Sequence, residues 1–160
     1  MSQSQFMQEK WEMYVATHGM RDEVLDTLTD ADLAFNPGGA NMNFGALFRE
    51  MGEIEYSYTQ SLKNFTQDFS YHNDEAGLEG SVSRLKAWLQ SLDAEMKAAL
   101  DALSEEDWQK PIKRESGYES PIDLQMDFYM QALLISLGKI SVYLKAMSKP
   151  LTQAMKDWIW

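Results

Sequence analysis

Cysteine is absent and histidine occurs twice, as His18 and His72. Disulfides, thiolate metal sites and cysteine nucleophiles are therefore excluded, and zinc or histidine-base chemistry has little to build on. No Gly-x-Ser-x-Gly turn is available to present a nucleophilic serine. Pro37-Gly38-Gly39 lacks the Lys-Ser/Thr that follows in a phosphate loop and reads as a plain loop. Carboxylate metal sites in helical bundles use Glu-x-x-His pairs on two helices, and the sequence contains none. What remains is a small set of polar residues on apolar helix faces. Glu50 sits at the edge of one such stripe, and Glu55 falls inside it, four residues after Met51 and three before Tyr58. Glu53 points away from the stripe, as a solvated position would. A buried carboxylate is costly unless paired, so Glu55 requires a partner, a tilt to the rim or a ligand. Lys139 lies among Ile135, Val142 and Tyr143, and Gln131 faces Phe128 and Ile135. Opposite charges on two apolar faces predict that Lys139 pairs with Glu55 or Glu50. His18 lies on a third apolar stripe and reads as a satisfied core or rim histidine before it reads as a ligand. His72, in a polar loop, reads as exposed.

Four long segments with helical periodicity must position these groups. The first, about Ser4 to Leu28, places Met7, Trp11, Tyr14, His18, Leu25 and Leu28 on one stripe. The second, about Phe44 to Asn64, has Asn43 as its N-cap and Leu47, Met51, Ile54, Tyr58 and Leu62 as its stripe. The third starts at a cap near Ser81 or Ser83 and carries Leu85, Trp88, Leu89, Leu92, Met96, Ala99, Leu100 and Leu103. The fourth, about Pro121 to Met147, opens with proline where the first turn tolerates it. It is apolar nearly all round, which predicts burial on more than one side. Lys149-Pro150 ends it, and Leu151 to Trp160 forms a short closing helix or turn. Trp158 and Trp160 in that tail close one end of the molecule or contribute to a dimer contact. Thr29–Asp32 and Ser104–Asp107 are matching capped turns that end the first and third segments. Four amphipathic helices of this length most simply form a four-helix bundle, one domain over residues 1–160. The connecting loops are longer than most bundle connections.

Composition bounds the function. The chain has 160 residues, with 14 Lys+Arg against 25 Asp+Glu and a formal net charge of -11. A phosphate-tracking nucleic-acid binder needs a basic face, and the longest candidate here is the short run Lys110–Arg114. Phe128 to Leu144 is the most apolar stretch, but Gln131, Ser136, Lys139 and Ser141 interrupt it, so no membrane span is expected. The N-terminus lacks a secretory pattern. These readings point to a cytoplasmic protein without nucleic-acid or membrane partners.

The run LDTLTDADLAFNPGGANMNFGALFREMGEIE and the run DFYMQALLISLGKISVYLKAM resemble the DinB-like family, at the proline loop with its following helix and at the last core helix. The resemblance implies an all-α, up-down-down-up four-helix bundle, often a homodimer. It also implies thiol-dependent transferases or isomerases, of mycothiol or bacillithiol type, among its members. Metal-binding members carry a histidine on the second helix and His-x-x-x-His before a glycine of the last. Those positions fall on Glu50, Ala132 and Ser136 here, ahead of Gly138. The resemblance therefore implies a site that zinc or nickel would not occupy, with no cofactor expected. It leaves a metal-free pocket around Glu50, Ala132 and Ser136, with Glu55, Lys139, Gln131 and His18 as further candidates for a pocket or buried ion pair. The expected function is a non-catalytic small-molecule binder or a dimeric interaction protein. The alternative is a thiol-dependent transferase or isomerase.

Overall fold

Capping chemistry sets the starts of the long helices in the computed structural model, which describes residues 1–159. The Asn43 side chain accepts from the Ala46 N–H and starts α3, Phe44–Asn64; Ser81 does the same for Arg84 and starts α4, Val82–Asp101. Pro121 precedes α6, Ile122–Ala146. The first segment is not continuous. A short α1, Gln3–Glu9, ends at Lys10, and α2 runs Trp11–Asp26. The break lets Phe6 turn fully into the core against Tyr14 and Trp108, while Trp11 stacks on Tyr14. A four-residue α5, Glu105–Trp108, starts at the second capped turn, and α7, Gln153–Ile159, closes the chain. Trp158 of that tail is half-exposed, and Trp160 lies outside the described residues.

Contacts along the helices fix their directions. Gly52 meets Trp88 so closely that a Cβ there would lie 2.4 Å from the indole, and farther along both helices Lys63 approaches Glu95 at 3.6 Å. Thus α3 and α4 run parallel, and residues 65–81 return along the bundle between them. Lys10 on Asp127 and Thr17 on Met130 make α2 and α6 parallel. Lys139 beside Glu50, and Gln125 beside Ser61, make α6 antiparallel to α3. The result is an up-down-down-up bundle.

Two further features depart from the sequence reading. A three-stranded sheet, β1 Thr66–Gln67, β2 Ile112–Arg114 and β3 Glu119–Ser120, ties the two long connections together at one end. Strands β1 and β2 pair in parallel through Thr66 with Lys113, and β2 and β3 antiparallel through Ile112 with Ser120. Segments of two and three residues carry no periodicity that sequence could show. The second departure is α6, which is buried on one side only. Leu134, Ile135 and Val142 face outward, Ile135 being 63% exposed.

Candidate functional site

Each of the four main helices sends polar side chains to one point inside the bundle. His18 and Arg21, three residues apart on α2, share a face; Glu55 comes from α3, Asp93 from α4 and Tyr129 from α6. Arg21, Glu55 and Tyr129 are fully buried, and His18 nearly so. Arg21 directs all of its guanidinium donors at carboxylates. Nη1 donates to Glu55 Oε2 (3.1 Å) and Asp93 Oδ1 (3.2 Å), Nη2 to Asp93 Oδ2 (2.8 Å) and Asp22 Oδ1 (2.9 Å), and Nε to Asp22 Oδ1 (3.0 Å). Five N–H groups meet acceptors, so nothing of the cation is left unpaired.

His18 completes the knot. Its Nδ1 lies 3.0 Å from Asp93 Oδ1, and its Nε2 lies 2.8 Å from the Tyr129 hydroxyl. Because the carboxylate only accepts, Nδ1 is the donor, and in the neutral ring Nε2 then accepts from Tyr129. Glu55 Oε1 faces His18 Nε2 at 4.0 Å and lies against the Tyr129 hydroxyl, without a hydrogen bond of normal geometry to either. Burial raises the Glu55 pKa well above the ordinary carboxylate value. Arg21 opposes that shift, while Asp93 adds to it. Burial also works against charge on Asp93, but the His18 hydrogen bond and Arg21 outweigh it and hold Asp93 below the usual range. The two carboxylates therefore divide their roles: Asp93 carries the negative charge and Glu55 holds a proton more readily.

The ligand atoms of His18, Glu55 and Asp93 lie within 4.8 Å of one another, a set whose chemistry suits a divalent cation. Arg21 already supplies the positive charge at that point, on two of the same three side chains. A groove of about 450 Å³ between α2 and α4 reaches the His18–Asp93 edge. His18 Nε2 is turned away from Asp93, onto Tyr129.

The other expected site residues lie apart from this knot. Lys139 takes Glu50, at 3.5 Å, and not Glu55. Lys139 is exposed and Glu50 only half-buried, so this is a surface pair and not a buried one. Gln131 is exposed, Ala132 half-buried and Ser136 buried. Glu53, expected on the solvated face, instead accepts from the Asn73 N–H (3.0 Å) and lies close to His72 Nδ1 (2.9 Å) and Arg49 Nε (3.2 Å). His72 itself is exposed. Arg21 and Asp93 escaped the sequence reading, although a signal existed. Arg21 stands three after His18 and four before Leu25, and Asp93 four after Leu89 and three before Met96. Both occupy places that the apolar stripe reserves for core.

The family model described as the DinB superfamily matches residues 13–133. The chain belongs to the DinB superfamily. A crystal structure of a DinB-like protein of Bacillus subtilis, YjoA, superposes with a TM-score of 0.70 at 13% identity, covering 88% of this chain and 94% of that one. At that identity the likeness concerns the fold. No curated protein matches the sequence.

Proposed function

We propose that this DinB-superfamily chain is a metal-independent protein that binds a small molecule or a second copy of itself and performs no metal-assisted chemistry. The observation that supports this reading most is the saturation of Arg21. The bundle's convergent His18/Glu55/Asp93 set is already compensated by a protein cation whose five donors are all in use. A metal would have to displace a fully paired, fully buried guanidinium. At the positions where the resemblance places metal ligands, the chain offers one carboxylate, a methyl and a hydroxyl, from Glu50, Ala132 and Ser136. That donor set does not fit zinc or nickel, since alanine offers nothing and neutral serine is a poor ligand. Lys139 adds a positive charge beside Glu50. The outward apolar residues of α6, Leu134, Ile135 and Val142, supply a face that a second copy would cover.

No helix among the described residues is long and apolar enough to cross a membrane, and the net charge of -11 disfavours nucleic acid. A cytoplasmic location accords with both. Native mass spectrometry of the untagged protein, before and after nickel or zinc addition, tests metal content and copy number together. The expected result is a metal-free dimer that acquires no stoichiometric ion. One bound ion per chain would overturn the reading in favour of the thiol-dependent transferase or isomerase, and a monomer at high concentration would remove the dimer.

A further inference from the structure

At the sheet end of the bundle a second arginine is wired differently. Strands β1 and β2 run parallel and diverge beyond Gln67 and Arg114, opening a cleft of about 770 Å³ with Phe69 and Ser70 on one wall and Ser116 on the other. Gln125, fully buried, lies behind it. Arg114 can only donate, so its Nη2 bond (3.2 Å) fixes Oε1 of Gln125 toward the guanidinium, where Ser120 Oγ also donates at 3.2 Å. Gln125 Nε2 must then face the other way, donating to Ser61 Oγ (3.3 Å) and Gln67 Oε1 (2.5 Å). That in turn leaves the Gln67 amide nitrogen without an acceptor. Gln67 is 5% exposed, and both its Nε2 and Arg114 Nε are buried with no partner. Both nitrogens are closed to solvent just behind the cleft wall, where the Tyr58 hydroxyl also lies against the Arg114 guanidinium, and buried polar groups are nearly always paired.

The geometry points to a binding site for a small organic monocarboxylate against the Arg114 guanidinium, whose entry would draw the buried Gln67 Nε2 and Arg114 Nε donors toward it. This deepens the ligand-binding reading above and rests on it. The guanidinium is held over Phe128 at 5.0 Å and near Phe69 at 6.0 Å, which orients it before any ligand arrives. Phe69 is 53% exposed and offers the apolar surface for the body of the acid. Charge selects against polyanions. Asp68 and Glu115 also border the cleft, Asp68 accepting from Ser70 N and Oγ, and the whole chain carries -11. A phosphate dianion meets more repulsion there than a monoanion.

Titrating the ¹⁵N-labelled full chain in EDTA with benzoate, and separately with benzamide and inorganic phosphate, tests the site. Benzoate is expected to shift the Gln67 side-chain amide and the Arg114 Nε–H signals saturably, while benzamide and phosphate leave them in place. Arg114→Lys, which keeps the charge and removes Nε, should weaken benzoate by about tenfold or more. Phe69→Ala, at an exposed ring, should weaken it several-fold and serves if the arginine variant fails to fold. Absence of those shifts at millimolar benzoate, shifts located elsewhere, or equal response to benzamide or phosphate overturns the proposal. Metal content measured on the same sample decides the metal-independent reading separately.

Discussion

Arg21 and Arg114 both sit in this bundle with neighbouring carboxamides or carboxylates, yet one is closed and the other open. Arg21, fully buried between α2, α3 and α4, meets an acceptor with each of its five donors. Arg114, half-buried at the cleft, leaves Nε without one, and the linked Gln67 amide shares the deficit. A saturated cation inside a core is an architectural element, because it fixes which helices meet and at what register. An unsaturated one at a cleft carries free capacity for an acceptor from outside. The contrast separates the part of the molecule that specifies the fold from the part that can bind something.

The strongest way to break the contrast is Arg21→Met. It strands Asp93, the carboxylate that carries the charge, without its cation, and removing one partner of a buried ion pair costs about 3–5 kcal/mol. Urea unfolding at neutral pH should report a loss of that order, a large share of the roughly 5–15 kcal/mol of a typical domain. Adding Asp93→Asn to Arg21→Met should return part of the loss, because a neutral amide needs no counter-ion. A loss below about 1 kcal/mol, as for a surface pair, would mean that Arg21 is not the organiser described. Arg114→Lys should leave stability nearly intact, since its charge is retained at a half-exposed place.

A second effect comes from pH. Burial raises Glu55 above its ordinary value of 4.5, so its contribution to stability is fully present below 4.5 and is lost as pH rises through the raised folded value. Asp93 is held below its ordinary 3.8, so its contribution is present above 3.8 and lost as pH falls further. The two act in opposite directions and place the knot's optimum on the acid side of neutral. Glu55→Gln removes the first slope. Thermal melts from pH 5 to pH 8 should show the wild type losing stability relative to this variant as pH increases. Parallel curves would show that Glu55 does not titrate differently in the folded and unfolded states.

Much of the bundle was legible because its signals are local. The second helix begins and ends where its cap and stripe put it, at Phe44 and Asn64, and the fourth differs by one residue at each end. The break at Lys10 was not legible, since neither proline nor glycine marks it and its cause is the distant docking of Phe6. The sheet was hidden by the brevity of its strands. Glu55 was correctly singled out as needing a partner, but that partner is Arg21; of the two pairings expected for Lys139, the one with Glu50 forms. Pairing depends on which helices are adjacent and at what height, and Lys139 lies level with Glu50, more than a full turn earlier on α3 than Glu55. The Arg114 cleft needs the long-range meeting of residues 67, 114 and 125, which no spacing in the sequence announces.

Lys139→Met gives the smallest effect and sharpens the contrast from the other side. Lys139 reaches Glu50 at 3.5 Å, with the two side chains 48% and 35% exposed. Exposed pairs of this kind contribute about 0–1 kcal/mol, because solvent screens the attraction and ordering two long side chains costs entropy. Denaturation of the variant should therefore move by less than about 1 kcal/mol, and 1 M salt should abolish the difference. If Glu50 and Lys139 instead formed the bundle's internal tie, as opposite charges on apolar faces suggest in the sequence alone, the loss would approach that of Arg21→Met and resist salt. The ratio of the two losses, measured under one set of conditions, thus decides which ion pair holds the four helices in register and which only decorates their rim.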